Sequence, residues 1–360
     1  MSKALVVRLR PAGPWRFGSE NGARDETGDV FHSDAVFSAV THALAKLGRL
    51  DDWLAATARP GAEPAVRFSS FFPWKAETLF IIPPQTVWPP TSANLLGQRG
   101  ARFLPVTVVR SLLAGEDLDD EAWTVDEASL CLTERAGPGG GIFRTVIRGG
   151  IGVDRLQSGS AQPYYTAGIE FAPDAGLWLV VVFASEEATA AWRAPVEAAF
   201  RLLADSGFGG RRSAGWGRAD APACQEVDWP TWLLPPQPAP GLPIPPEENA
   251  ETGETPEAAA PLAVAESGYW LLSLFHPGEL DAVRWDRGRY TTTIRRGRVE
   301  GANQWGVATR RVRMVAEGSV VVADREPVGA APDLAPDGLE HPVFRYGHPV
   351  SVFVPMGAPA

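Results

Sequence analysis

The segment from Leu177 to Val227 constrains the fold of this chain more than any other stretch of its sequence. Leu177 to Ala184 is an apolar, β-branched run of strand length. Ser185-Glu-Glu then gives a helix start, with a capping hydroxyl and acids in the first turn. Apolar residues recur at helical spacing up to Gly207, and a glycine-rich loop leads into a predicted strand from Trp216 to Val227. This order predicts the second half of an α+β unit.

The beginning of the chain predicts the first half of the same unit. Leu5 to Leu9 alternates like a strand, and apolar residues recur at helical spacing from Val36 to Leu47. Ser33 or Asp34 is placed to cap that helix. Between the halves, residues 60–170 are rich in proline and glycine, which favours extended segments over long helices. The order β–α–(insertion with strands)–β–α–loop–β predicts a ferredoxin-like (RRM-like) domain.

A second domain is predicted after a proline-rich segment. Seven prolines between Pro235 and Pro246, followed by an acidic and alanine-rich stretch, are typical of a linker. Strand patterns dominate beyond it, with one weak helix signal at 279–283. The predicted fold class is therefore α+β with two ferredoxin-like domains, the first carrying a long β-hairpin insertion and the second β-rich and degenerate. Their bounds are 1–232, a linker at 233–266, and 267–360.

Composition limits the function classes. The 360 residues are 45% hydrophobic with a net charge of −10, and no apolar run approaches the roughly 18 residues that a membrane span needs. The N-terminus lacks the features of a signal peptide. Cys131 and Cys224 lie far apart without metal spacing, and both are predicted as small core residues. We therefore expect a cytoplasmic protein with no membrane partner, no cofactor and no metal.

Basic residues are concentrated in two places in an otherwise acidic chain. Residues 284–313 carry nine arginines, whereas the linker carries six glutamates and no basic residue. The second place is the Gly-Arg loop, residues 205–220, with five glycines and three arginines. Glycines let backbone N–H groups approach an anion, and arginines add bidentate phosphate contacts. This pattern favours a localised polyanion site. The alternatives are a glycine-rich turn with solvated charges and, for 284–313, a solvated sheet face or a protein interface.

Catalytic motifs are not evident. The sequence has no nucleophile elbow, no His-Glu-x-x-His and no P-loop lysine. His32 is the one candidate for general acid/base chemistry, and the favoured alternative is a helix-entry residue with local hydrogen bonds. We therefore predict no catalytic residue and no enzymatic activity.

The predicted hairpin insertion, about 137–165, adds features of an RNA-binding surface. It carries Arg144, Arg148 and Arg155 together with Tyr164 and Tyr165. Single-stranded RNA is held by aromatic stacking and arginine planes while nearby cations neutralise its phosphates. Core packing of the two tyrosines is the alternative interpretation.

Five motifs in this order resemble a known family. They are Phe31-His-Ser-Asp-Ala-Val-Phe, Gly152-Val-Asp-Arg-Leu, Gly207-Phe-Gly-Gly-Arg-Arg-Ser-Ala-Gly-Trp-Gly-Arg, Tyr269-Trp-Leu-Leu-Ser-Leu-Phe-His-Pro and Arg313-Met-Val-Ala-Glu-Gly-Ser-Val. The set resembles the fourth Csm subunit of type III-A CRISPR effector complexes, a Cas-five-type RAMP protein. The hairpin insertion would then be the family's thumb.

The resemblance implies a non-catalytic subunit of an RNA-guided antiviral complex. Such a subunit binds and caps the repeat-derived 5′ tag of the crRNA. It also bridges the large Cas-ten-type subunit to the backbone RAMP subunit, and its thumb kinks the guide–target duplex, close to the target RNA. Two alternatives stay open. One is a Cas-six-like crRNA-processing endoribonuclease that uses His32, and the other is the equivalent subunit of a type III-B or III-D complex.

The residue patterns and the resemblance together imply a set of RNA-binding residues. They are His32, Ser33, Arg144, Arg148, Asp154, Arg155, Gly207, Gly209, Gly210, Arg211, Arg212, Ser213, Gly215, Arg218, Arg295 and Arg296. Within this set, residues 207–213 are expected to bind the tag phosphates. Arg148 and Arg155 of the thumb are expected to lie near the first guide nucleotides.

Overall fold

A computed structural model describes residues 2–18, 23–137, 141–153, 161–235, 267–300 and 305–356. The strands are β1 (Ser2–Leu9), β2 (Val66–Phe68), β3 (Phe72–Lys75), β4 (Thr78–Ile81), β5 (Leu104–Pro105), β6 (Trp123–Asp126), β7 (Cys131–Glu134), β8 (Phe143–Val153), β9 (Ala161–Phe171), β10 (Ala175–Phe183), β11 (Ala223–Trp229), β12 (Ser267–Leu271), β13 (Val283–Arg289), β14 (Thr292–Arg295), β15 (Arg298–Glu300), β16 (Trp305–Ala308), β17 (Val312–Val315), β18 (Val320–Ala323) and β19 (Ser351–Pro355). The helices are α1 (Ser33–Lys46), α2 (Leu50–Thr57), α3 (Asn94–Gln98), α4 (Val106–Leu113) and α5 (Glu186–Ser206), with short 3₁₀ turns at Thr91–Ala93 and Arg212–Ala214.

The N-terminal part is built on a seven-stranded antiparallel sheet. Its order is β11-β1-β10-β3-β4-β5, with β2 also paired to β10. Every residue of β10 is buried, which explains its unbroken apolar sequence. Helices α1 and α5 contact each other, and α5 also contacts β1 and β10. The mixed α/β class and both predicted β–α pairs are thus confirmed.

The helix predicted between Ser185 and Gly207 is present with both predicted ends. The Ser185 hydroxyl accepts a hydrogen bond from the Ala188 N–H at 3.1 Å. Gly207 has a φ of 91° and donates its N–H to the Leu203 carbonyl at 2.7 Å. The predicted strand that follows is wrong at its start, since β11 begins at Ala223 and not at Trp216.

The C-terminal part consists of strands. A four-stranded sheet, β13-β18-β12-β19, is accompanied by the pairs β14–β17 and β15–β16. Residues 267–300 and 305–356 contain no helix, so the weak helix signal at 279–283 is wrong. There, the Asp281 carboxylate accepts N–H groups from Gly278, Val328 and Gly329 and fixes an irregular turn.

The two parts share one hydrophobic core. The rings of Phe37 in α1 and Tyr346 in the C-terminal part are stacked with centroids 4.1 Å apart. Trp270 of β12 is fully buried and donates its indole N–H to the Ile82 carbonyl. The predicted linker starts within this packed structure, because Leu233 is buried and its carbonyl accepts from Arg110. Residues 236–266 lie outside the described residues.

Two further expectations can be compared with the fold. The thumb is a long hairpin, β8–β9, that extends past the predicted end of the insertion as far as Phe171. Cys131 is buried as expected, but Cys224 is exposed on the edge strand β11. In the part of the chain that the structure describes, no helix is both long and apolar enough to cross a membrane.

The candidate site lies at one end of the strands of the seven-stranded sheet. There β1 ends, β10 and β11 begin, and residues 10–18 and 23–31 lie beside them. The Trp15 N–H donates to the Ile169 carbonyl in the thumb at 2.8 Å, and the Ala12 N–H donates to the Arg218 carbonyl in the Gly-Arg loop at 2.9 Å. Residues 10–18, the thumb base and the Gly-Arg loop are therefore in contact with one another.

Candidate nucleic-acid interface

The Gly-Arg loop is anchored by an aromatic residue that points into the core. Phe208 is buried and stacks on Trp15 with ring centroids 5.0 Å apart. Its N–H donates to the Gly217 carbonyl at 3.0 Å, and the Gly217 N–H donates to the Pro14 carbonyl. Gly217 has a φ of 81°, and a Cβ there would overlap the Phe208 carbonyl oxygen. A glycine is therefore required at position 217 for two independent reasons.

Most backbone N–H groups of the Gly-Arg loop already donate to backbone carbonyls, either inside the loop or in neighbouring segments. Gly210 donates to the Arg16 carbonyl at 3.0 Å, and Gly215 donates to the Arg212 carbonyl at 2.9 Å. Within the described residues, the N–H groups left without an acceptor belong to Gly209, Arg211, Arg212, Ser213 and Arg218. These five are the backbone donors that the loop can offer to an anion. The glycines at 207, 210 and 215 shape the loop instead.

Three arginines converge beside the loop, and only Arg211 was predicted from the sequence. Arg16 lies against Gly210, donates to the Ala23 carbonyl at 2.7 Å and has a buried Nε without a partner. Burial lowers the pKa of Arg16, and the positive charges of Arg24 and Arg211 lower it further. Arg16, Arg24 and Arg211 form the arginine cluster. No ion pair among the described residues neutralises it.

Three other predicted residues of the loop are exposed. Arg212, Ser213 and Arg218 all face solvent, and the side chains of Arg212 and Arg218 have no partner in the described residues. The Arg218 carbonyl accepts the indole N–H of Trp15 at 3.0 Å, which fixes the end of the loop. Trp216 is buried against Gly168 of β9, where a Cβ would approach its ring to 2.5 Å.

The thumb meets the loop through Tyr164 and Arg211. The guanidinium of Arg211 donates to the Tyr164 hydroxyl at 3.3 Å and lies 5.4 Å from the ring centroid. Tyr164 also covers Gly150, where a Cβ would come within 2.5 Å of its ring. Tyr165 points to the opposite face of β9 and is 61% exposed, so core packing does not explain it.

The thumb has one charged face and one apolar face. Arg144 and Arg148 each donate to Glu170 at 3.0 Å. The hydrogen bond from Arg144, followed by both positive charges, lowers the pKa of Glu170 despite partial desolvation. The exposed side chains of the other face are Ile147, Ile151, Val153 and Tyr165. Asp154 and Arg155 lie outside the described residues.

His32 contacts a distant carboxylate, not a local partner. Its Nδ1 lies 2.8 Å from the Oε1 of Glu317, which is buried and also accepts from the Ser70 hydroxyl. Burial alone would raise the pKa of Glu317, but His32 and the hydroxyl outweigh it and lower the pKa. His32 does lie at the entry to α1, as expected, but its side chain bonds this distant carboxylate and not a local partner.

Ser33 and Asp34 do not cap α1. The helix begins at Ser33, and its N-cap residue is His32, whose side chain makes no capping hydrogen bond. The Ser33 hydroxyl accepts the Leu274 N–H at 3.0 Å. Asp34 accepts two hydrogen bonds from Arg295, at 2.9 and 3.0 Å, and one from Arg345 at 2.9 Å. Burial would raise the pKa of Asp34, but the two guanidinium groups hold it far below its usual range.

Of the two predicted binding residues in the C-terminal part, Arg295 is mostly buried and Arg296 is exposed. The Arg295 side chain is 12% exposed and its guanidinium faces Asp34 of α1. Arg295 therefore joins the two parts of the chain through a buried ion pair. Within the described ranges, no group of three or more His, Cys, Asp or Glu side chains could hold a metal ion.

Comparisons with known proteins match this architecture. Residues 265–354 match the family model of the CRISPR Csm4 C-terminal domain. The chain also has the fold of a chain in the crystal structure of a Csm3–Csm4 subcomplex of the type III-A CRISPR-Cas interference complex, with a TM-score of 0.56, 16% identity and 99% of each chain covered. A chain in a Csm1–Csm4 cassette crystallised with pppApA gives a TM-score of 0.53 at 17% identity, covering 99% of this chain and 100% of that one. No curated protein matched the sequence.

These findings show the fold first: over nearly its whole length the chain is folded like the matched chains of the Csm3–Csm4 and Csm1–Csm4 structures. More narrowly, residues 265–354 match the model of the Csm4 C-terminal domain, and this match together with the fold supports a Csm4 subunit. The resemblance seen in the sequence motifs is thereby confirmed.

Proposed function

We propose that this chain is a non-catalytic subunit of a type III-A complex that binds the 5′ tag of a crRNA. The observation that carries the proposal is the arginine cluster, which no ion pair of the described residues neutralises, beside the unoccupied N–H groups of the Gly-Arg loop. An RNA phosphate supplies the missing negative charge and accepts both kinds of donor. A shallow basic edge with an adjacent aromatic hairpin suits a single strand better than a nucleotide cofactor.

The proposal includes a ferredoxin-like RAMP domain in the N-terminal part. Strands β11, β1, β10 and β3 lie side by side, and α1 and α5 follow β1 and β10 in sequence. This is the order of a βαββαβ unit in which the thumb is inserted before the third strand. In the same unit the Gly-Arg loop joins the second helix to the last strand. A degenerate second unit in residues 267–356 belongs to the same proposal.

Bridging of two protein partners is also part of the proposed function. The similar solved structures are a Csm3–Csm4 subcomplex and a Csm1–Csm4 cassette. By analogy, we expect this chain to contact a backbone RAMP subunit and a large Cas-ten-type subunit. The exposed apolar face of the thumb is suited to packing against a guide–target duplex near the tag.

A double substitution in the loop tests RNA binding. Arg211→Ala with Arg212→Ala should weaken binding to single-stranded RNA and flatten its salt dependence, because each lost phosphate contact removes about 0.7 from the log–log slope. Fluorescence anisotropy over a salt series gives both quantities. Arg59→Ala with Arg201→Ala changes the net charge equally at exposed positions outside the site and should change neither. An unchanged slope in the loop variant would sink the assignment.

A substitution at Glu170 should raise RNA affinity, the opposite of the effect expected for the loop variant. Glu170→Gln should strengthen RNA binding severalfold, because it removes the carboxylate that neutralises Arg144 and Arg148 in the free protein. The salt dependence should steepen as the freed arginines gain phosphate contacts. Glu226→Gln on the edge strand β11 removes the same charge away from the thumb and serves as the control. Equal effects of the two variants would show that net charge alone matters.

One observation favours the rival enzymatic function. His32 is held by the buried carboxylate of Glu317, an arrangement that orients a general acid or base. Metal-independent cleavage of repeat RNA by the purified chain, lost in His32→Ala, would establish a Cas-six-like endoribonuclease. We propose that His32 binds and does not cleave, so intact RNA is the expected result.

A further inference from the structure

A small pocket lies between the two parts of the chain, at the opposite end of the seven-stranded sheet from the Gly-Arg loop. It is lined by the last residues of β10 and β11, by Arg67 of β2, and by residues of β12 and β19 in the C-terminal part. The nine residues of β10 span roughly 27 Å, which separates the pocket from the arginine cluster. An occupant of this pocket therefore lies outside the candidate RNA interface.

The size and lining of the pocket suit a single side chain. Its volume is about 180 Å³, below the roughly 300–1,000 Å³ of sites for drug-sized ligands. One aromatic residue from each of β10, β11, β12 and β19 lines it. Tyr269 and Phe353 are direct neighbours across β12 and β19, with ring centroids 5.4 Å apart. A nucleotide is too large for this pocket, whereas one elongated side chain is not.

The charged side chains of the pocket carry an excess of one negative charge. Arg67 is mostly buried and donates to Glu63 at 2.7 Å and to Glu326 at 3.1 Å. In the part of the chain that the structure describes, these are the three charged side chains that line the pocket. One guanidinium therefore faces two carboxylates, and the pocket favours a further cation.

The two carboxylates also have unused hydrogen-bonding capacity. Arg67 and the Ser351 hydroxyl both donate to Oε1 of Glu326, and Arg67 donates to Oε1 of Glu63. Among the described residues, Oε2 of each carboxylate has no donor. Burial raises the pKa of Tyr269, and the negative charge of Glu326 raises it further, so this ring lies within the field of the carboxylate. A guanidinium or ammonium group can donate to carboxylate oxygens while it contacts an aromatic ring.

We propose that this pocket binds the side chain of one arginine or lysine of a protein partner. The excess negative charge attracts the cation, the free carboxylate oxygens accept its N–H groups, and the rings of Tyr269 and Phe353 contact its aliphatic stem. A protein is the favoured source, because Phe353 is 61% exposed and offers apolar surface that a free amine would leave uncovered. The inference does not depend on the proposed RNA binding.

The first test measures binding of a small cation to the full chain. Fluorine NMR of chain labelled with 3-fluorotyrosine reports on Tyr269, whose signal is assigned with Tyr269→Phe. We expect N-acetylargininamide to shift this signal and its neutral isostere N-acetylcitrullinamide to leave it unchanged. Glu326→Gln should weaken binding about fivefold, as for a half-exposed ion pair. Glu77→Gln, at a 97% exposed position at the other end of the sheet, should not.

A second variant is needed because Glu326→Gln also removes a partner of the buried Arg67. Phe353→Ala removes an exposed ring, keeps both carboxylates and should weaken binding about twofold, the size of an exposed cation–π contact. Thermal unfolding verifies that each measured variant is folded. The absence of a shift with N-acetylargininamide in the folded wild-type chain would overturn the assignment of a cation site.

The second test identifies the source of the cation. Phe353→p-benzoylphenylalanine chain would be purified from the host with its bound partners and irradiated. We expect crosslinks to one partner peptide that contains an arginine or lysine, with a lower yield when Glu326→Gln is added. If spermidine shifts the Tyr269 signal but no protein crosslink forms, a free amine is the occupant and the protein assignment is wrong. RNA affinity should be unchanged in Glu326→Gln and Phe353→Ala, so neither result bears on the RNA-binding proposal.

Discussion

Replacing Asp34 by alanine should lower the free energy of unfolding by about 3–5 kcal/mol, the range for removing one partner of a buried ion pair. Its carboxylate is fully buried and accepts from both Arg295 and Arg345. Without it, two mostly buried guanidinium groups lose their counter-charge, and the packing of α1 on the C-terminal part loses its polar connection. Chemical denaturation measured by circular dichroism gives the value.

A surface pair provides the control for Asp34. Asp52 lies 3.3 Å from Arg49 but is 71% exposed, so Asp52→Ala should cost no more than about 1 kcal/mol. Adding Arg295→Met to Asp34→Ala should recover part of the loss, because it removes one unpaired cation. A loss for Asp34→Ala as small as that for Asp52→Ala would contradict the assigned role of the buried pair.

Gly217→Ala should destabilise the chain by more than about 2 kcal/mol, the sum of backbone strain and a steric clash. The residue has a φ of 81°, and its new Cβ would overlap the carbonyl oxygen of Phe208. The Phe208 anchor and the Arg211–Arg212 segment would then shift together. We expect RNA affinity to fall about tenfold as well, equivalent to about 1.4 kcal/mol.

A substitution at Gly215 separates the effect of backbone strain from that of the steric clash. Its φ of 82° is nearly the same as that of Gly217, but a Cβ there would meet nothing within 4 Å. Gly215→Ala should therefore cost only the backbone strain, about 1 kcal/mol, and lower RNA affinity less than Gly217→Ala does. Equal losses in the two variants would show that the clash at Phe208 does not matter.

Local signals made the N-terminal fold predictable. The apolar run of β10, the Ser185 cap and Gly207 each act within a few residues, and all three are found where the sequence placed them. The strand start at Trp216 was wrong because Gly215 and Gly217 adopt positive φ, which interrupts an extended chain. Trp216 itself is buried because of Gly168, a contact that no local pattern reveals.

The site was only partly predictable because several of its contacts are non-local. Asp34 looked like a helix cap, and its partners lie 261 and 311 residues further along the chain. Arg16 belongs to a loop with no periodicity, so only its position between Pro14 and Gly18 could have drawn attention to it. The Gly-Arg loop could be identified because glycine and arginine carry their chemistry in the local sequence.

The most direct test of the central claim is the RNA that the chain carries in its own cells. Tagged wild-type chain and the Arg211→Ala, Arg212→Ala variant would be purified from the host under native conditions, and the 5′ ends of their bound RNA would be sequenced. We predict one common repeat-derived 5′ end on wild-type RNA, with much less RNA on the variant. RNA with random 5′ ends, or equal amounts on both chains, would contradict the account.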